Sequence, residues 1–122
     1  MSEIEGTVLL LEDEPFIALD LEEMLGELGA PNVVTLATCQ AALDWLYHNN
    51  PVFAVIDPRL KDGYCSPVAR HLSAKGVPFI VHSGDPEGAG LEDDAFDNGV
   101  WLPKPSPPND LQAAISRIVQ TF

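Results

Sequence analysis

Short apolar runs alternate along the chain with stretches whose apolar residues recur at helical spacing. Gly6–Leu11 reads as a first strand, and Pro15 suits the first turn of a helix carrying Ile17, Leu21, Met24, Leu25 and Leu28. Gly29 stops that helix. Asn32–Leu36, polar or small at intervals, is expected to be an edge strand. Thr38 is placed to cap a helix over Cys39–His48 with Ala42, Leu43 and Leu46 inward. Val52–Ile56 is apolar throughout, as a central strand covered on both faces should be. Ser66–Ala74 is a predicted helix closed by Gly76, and Val77–Val81 and Val100–Leu102 are the fourth and fifth strands. Between those strands, the Gly- and acid-rich segment 84–98 allows only a short helix, over Leu91–Phe96, and should be the least stable part. Leu111, Ile115, Ile118, Val119 and Phe122 form the inward stripe of a last helix, with Asn109 or Asp110 near its cap.

This alternation predicts a βαβ series, hence an α/β fold with a parallel sheet. Four of the apolar runs end on a reactive polar group: Glu12-Asp13, Asp57, Ser83 and Lys104. Parallel strands would gather all of them at the carboxyl edge of the sheet, where open α/β sheets bind their ligands.

The length of 122 residues fits one domain, residues 1–122, able to bury a core without metal or disulfide staples. No apolar stretch approaches the ~20 residues needed to cross a bilayer, and Met1–Glu5 lacks the features of a signal peptide. A cytoplasmic location is therefore expected. The initiator-like Met1 and a helix ending at Phe122 favour a complete small protein. Cys39 and Cys65 have no CxxC spacing and are expected to be reduced, partly buried thiols. His48, His71 and His82 lack metal-ligand spacing, and His82 is expected to pack or hydrogen-bond locally. A net charge of −13 opposes binding to nucleic acid or anionic lipid.

Charge changes the picture most where it is concentrated. Mg²⁺ is commonly held by one or two carboxylates, waters and a phosphate. Asp13 and Asp57 could supply the carboxylates, with Glu12 beside them and a backbone carbonyl completing the set. Asp57 ends the most apolar run, so it is expected to sit deepest and could act as a nucleophile toward phosphorus. The transferring phosphoryl oxygens would then be neutralised by the cation, by Lys104 and by the Ser83 hydroxyl.

With those residues in hand, the chain resembles the receiver domains of response regulators in two-component signalling. The resemblance is carried by Leu10-Leu11-Glu12-Asp13-Glu14-Pro15, by Val55-Ile56-Asp57-Pro58-Arg59-Leu60-Lys61-Asp62-Gly63, by His82-Ser83-Gly84 and by Leu102-Pro103-Lys104-Pro105. It implies a flavodoxin-like, doubly wound five-stranded parallel sheet in order 2-1-3-4-5, flanked by five helices. It also implies Mg²⁺ dependence and phosphotransfer from a histidine kinase or histidine phosphotransfer protein. By position, Asp57 would be the phosphoacceptor, Glu12 and Asp13 the metal pocket, and Arg59 a backbone-carbonyl metal ligand. Ser83 would be the switch hydroxyl, Lys104 the phosphate clamp, and Trp101 the switch aromatic. Arg59 and Asp85, each two residues past a site residue, are expected to set the lifetime of the phosphorylated state. The Lys104-Pro105 bond is expected to be cis by the same resemblance.

These expectations describe a stand-alone signalling domain, a monomer or weak dimer, that is phosphorylated and slowly dephosphorylates itself. It would act on an unknown downstream protein and is not an enzyme in the ordinary sense. Two competitors stand beside it. One is a receiver-like module that docks partners without phosphorylation. The other is a small Mg²⁺-dependent phosphohydrolase, which would need a substrate cap that 122 residues hardly accommodate.

Overall fold

A computed structural model describes residues 6–84, 94–104 and 107–119. The elements in chain order are β1 (Thr7–Leu11), α1 (Pro15–Glu27), β2 (Asn32–Leu36), α2 (Cys39–Leu46), β3 (Phe53–Ile56) and the short pair β4 (Arg59–Leu60) and β5 (Gly63–Tyr64). They continue with α3 (Ser66–Ala74), β6 (Phe79–Ser83), a 3-10 turn (Asp94–Phe96), β7 (Val100–Pro103) and α4 (Pro108–Val119).

All pairings of the main sheet are parallel, and its order is β2-β1-β3-β6-β7. With the β4–β5 hairpin set aside, this is the predicted 2-1-3-4-5 order, and β2 lies on an edge as its mixed composition required. The chain runs outward from β1 to β2, then returns to place β3 on the other side of β1. That reversal opens a crevice at the carboxyl ends of β1 and β3.

Strict alternation divides the core in two. Leu9, Leu11, Ala54, Ile56, Phe79 and Val81 face α2 and α3 in one cluster with Phe96. Val8, Leu10, Phe53, Val55, Ile80 and Leu102 face the other way, against Leu21 and Leu25 of α1 and Leu111, Ile115 and Ile118 of α4. All four β3 residues are fully buried. Each such side chain removed from water contributes about 1.5–3 kcal/mol, which makes β3 the anchor of both layers.

Local signals behave as their chemistry dictates. The Thr38 hydroxyl accepts from Ala41 N–H at 3.1 Å and caps α2. Gly76 adopts φ 71° as it ends α3, a conformation that costs other residues a steric penalty. Helix α2 ends at Leu46 rather than His48, because Tyr47 and His48 turn out into solvent with no apolar face to bury.

Two expectations are corrected, and one element is new. The described residues contain four α-helices, not five; of the predicted Leu91–Phe96 helix, Asp94–Phe96 forms a 3-10 turn and 91–93 lie outside the described residues. The β4–β5 hairpin was not anticipated. The cysteines are not free thiols: Cys39 and Cys65 form a disulfide with Cα atoms 5.3 Å apart. Sequence spacing hides this pair, because 26 residues separate the two and only the fold brings the starts of α2 and α3 together.

Candidate functional site

Three site residues continue the sheet's backbone ladder one step past the ends of their strands. Glu12 N–H donates to Leu36 O at 3.1 Å, Asp57 N–H to Leu11 O at 2.9 Å, and Lys104 N–H to Ser83 O at 2.8 Å. The side chains therefore project from backbone that is bonded to the neighbouring strand, not from loose loop.

These three converge. Lys104 Nζ lies 2.8 Å from Asp57 Oδ2 and 2.7 Å from Glu12 Oε1. The side chains are 13% exposed for Lys104, 12% for Asp57 and 1% for Glu12, so the deepest carboxylate is Glu12, not Asp57 as expected. Glu12 lies beneath the ammonium, and its Oε2 accepts from Glu14 N–H at 3.1 Å. Burial pushes the Glu12 carboxyl up, and the Lys104 hydrogen bond only partly offsets that. For Lys104, burial would disfavour the charge, but the bonds to Asp57 and Glu12 outweigh it and hold its pKa above the usual lysine value.

Glu12, Asp13 and Asp57 each present one carboxylate oxygen within 4.8 Å of the others. A set of hard oxygens this close, facing one ammonium, fits a divalent cation of the Mg²⁺ type. Arg59 is held by its own N–H, which donates to Asp57 Oδ1 at 3.0 Å, and its guanidinium lies 5.7 Å from the Tyr64 ring centre. Ser83 is buried at the end of β6. Register places Ser83 beside Pro103, and Val81 beside Trp101. Trp101 is 37% exposed and meets Phe96 edge-on at 6.5 Å. Asp85 and Pro105, and with Pro105 the expected cis bond, lie outside the described residues.

Asp62 and His82, both near the site, have surroundings that the sequence did not reveal. Asp62 takes Cys39 N–H at 2.8 Å and Gln40 N–H at 3.1 Å, tying the hairpin to the start of α2. The Asp62-Gly63 pair is a hairpin-turn signal that apolar periodicity passes over. His82 is buried, and among the described residues neither ring nitrogen has a hydrogen-bond partner. Burial first, then the nearby Lys104 charge, lower its pKa to about 4, with Asp57 opposing. Of the two local roles expected for it, packing is the one seen among the described residues.

No protein-family model matches the chain, and no curated protein matches it either. Solved structures do, and several that match over nearly the whole chain are response regulators or receiver domains. The receiver domain of a sensor histidine kinase from Pseudomonas aeruginosa, which has magnesium coordinated in its active-site cleft, is 23% identical with a TM-score of 0.79, covering 96% of this chain and 99% of that one. SdrG from Sphingomonas melonis is 28% identical with a TM-score of 0.77, covering 98% of this chain and 99% of its own. The anti-anti-sigma factor PhyR from Bartonella quintana is 25% identical with a TM-score of 0.79, and this chain spans 50% of it. The fold is that of a receiver domain. Among the described residues, no helix is long and apolar enough to cross a membrane.

Proposed function

We propose that residues 1–122 form one receiver domain, in which Asp57 accepts a phosphoryl group from a histidine kinase or histidine phosphotransfer protein. The observation that carries this reading is the placement of Asp57, whose carboxylate is bonded to Lys104 at 2.8 Å and also belongs to the acidic cluster. An Asp57 oxygen attacks phosphorus in line, the bond to the donor's leaving group breaks, and an acyl phosphate forms on Asp57.

Glu12, Asp13, Asp57 and the Arg59 backbone carbonyl would hold Mg²⁺, which neutralises phosphoryl charge when bound. Lys104 already sits on an Asp57 oxygen and would transfer its ammonium to a phosphoryl oxygen. The Ser83 hydroxyl would take another, coupling the phosphoryl group to β6 and, through Trp101, to β7. Phosphorylation would then shift the domain between states of different affinity for a downstream protein partner. Hydrolysis of the acyl phosphate resets the switch, so the chain acts as a cytoplasmic signalling protein and not as a turnover enzyme.

Incubation with Mg²⁺ and acetyl phosphate, followed by intact mass measurement, tests the reading. One phosphoryl mass should appear in the native sequence and be absent from Asp57→Asn. No gain in either protein would leave the unphosphorylated docking module as the better account.

A further inference from the structure

We propose that the Cys39–Cys65 disulfide is a reversible thiol–disulfide exchange site for a dithiol reductant, and that its state sets how firmly the loop after Asp57 is held to helix α2. This stands apart from phosphorylation and would hold whether or not Asp57 is a phosphoacceptor.

Both sulfurs occupy helix starts. Cys39 is the first residue of α2, and Cys65 is the N-cap residue of α3, the helices having eight and nine residues. The positive end of a helix dipole stabilises a thiolate, and a pair whose reduced form is stabilised is easily reduced. The two ends are not equivalent. At α2 the Asp62 carboxylate already accepts from Cys39 N–H and Gln40 N–H, which competes with a second negative charge there. Among the described residues no carboxylate accepts a hydrogen bond at the start of α3, and neither helix has an acidic residue in its first turn.

Access runs the other way. Cys65 is fully buried, whereas Cys39 is 8% exposed. An external thiolate therefore attacks Cys39 Sγ; the S–S bond breaks, and Cys65 leaves as a thiolate at the start of α3. The second thiol of the reductant then attacks the mixed disulfide and releases Cys39. Two electrons and two protons pass from the dithiol to the protein, and the reductant leaves as its own disulfide. Cys39 Sγ lies 3.5 Å from Gly63 O, so the new thiol has an acceptor for its proton.

The consequence falls on the loop. Cys65 N–H donates to Pro58 O at 2.8 Å, one residue past Asp57, and the β4–β5 hairpin fills the interval. In the disulfide form, this hairpin is fixed to α2 by the covalent bond and by Asp62. In the dithiol form, the covalent bond is gone, and the Asp62 bonds, the weak Cys39 thiol contact with Gly63 O and packing remain.

The native, full-length protein should be equilibrated in buffers of reduced and oxidised dithiothreitol without denaturant. Alkylation and intact mass would count free thiols, and hydrogen exchange would follow the amides. Both thiols should become free while α4 and β3 keep their protection. Amides over 59–64 should then exchange about tenfold faster, and the Cys39→Ser/Cys65→Ser variant should match the reduced protein. A disulfide that yields only after unfolding would overturn the proposal. So would thiols that stay free across the whole series, or native reduction that leaves exchange over 59–64 unchanged.

Discussion

The Lys104 ammonium lies 2.7 Å from Glu12 Oε1, and the Glu12 side chain is almost wholly buried at 1% exposure. The same ammonium holds Asp57, so it separates two carboxylates that would otherwise face each other with no counter-charge. Lys104→Met should destabilise the metal-free protein by about 3–5 kcal/mol, the range for a broken buried pair. The lost ammonium also repels cations, so the variant should bind Mg²⁺ several-fold more tightly, by the same charge argument. Urea unfolding with and without MgCl₂ measures both effects; equal stability, or weaker Mg²⁺ binding, would contradict the geometry.

His82 makes stability depend on acid. Its ordinary value of 6.5 falls to about 4 in the folded chain, so the unfolded state takes up the proton first. Its contribution is intact above pH 6.5 and is lost as pH falls through the window toward 4, by at most about 3 kcal/mol. Glu12 works in the opposite sense. Its raised pKa means stability is lost as pH rises from its unfolded value of 4.5 through the higher folded one, so the comparison must be between variants. His82→Leu should flatten the curve between pH 6.5 and 4, and an unchanged slope would show that the imidazole is not responsible.

Gly99 is a close-approach glycine just before β7. A Cβ there would lie 2.6 Å from a Phe79 ring carbon and 2.8 Å from Val81 Cγ2, both in the core. Gly99→Ala should cost about 1–3 kcal/mol, the usual effect of overpacking, read as a lower urea midpoint. A neutral result would mean that the Phe79 ring moves aside freely.

Trp101 offers an optical test of the switch role proposed for it. Its ring is 37% exposed and meets Phe96 edge-on. In a Trp45→Phe background, beryllofluoride with Mg²⁺ should change Trp101 emission, and Ser83→Ala should suppress the change. Identical spectra in all three states would remove Trp101 from the switch.

Much of this architecture is legible in the residues because it is written in periodicity. The all-apolar run ending at Ile56 could only be a central strand, and it places Asp57 at the crevice. Thr38 and Gly76 announce helix ends through local chemistry. What periodicity does not encode was missed. The hairpin at 59–64 has two-residue strands, too short to alternate, and only Asp62-Gly63 marks it. The disulfide depends on two helix starts meeting in space. The order of depth among carboxylates depends on where one lysine lands, so Glu12 and Asp57 exchanged their expected places.

The ladder bond from Lys104 N–H to Ser83 O has a mechanical meaning. Hydroxyl and ammonium are mounted on adjacent rails riveted at their tips, so a pull on one is felt by the other before any side chain rearranges. A partner that read the outer strand, β7, under the function proposed above would thereby sense a shift of Ser83 on β6 through main chain alone.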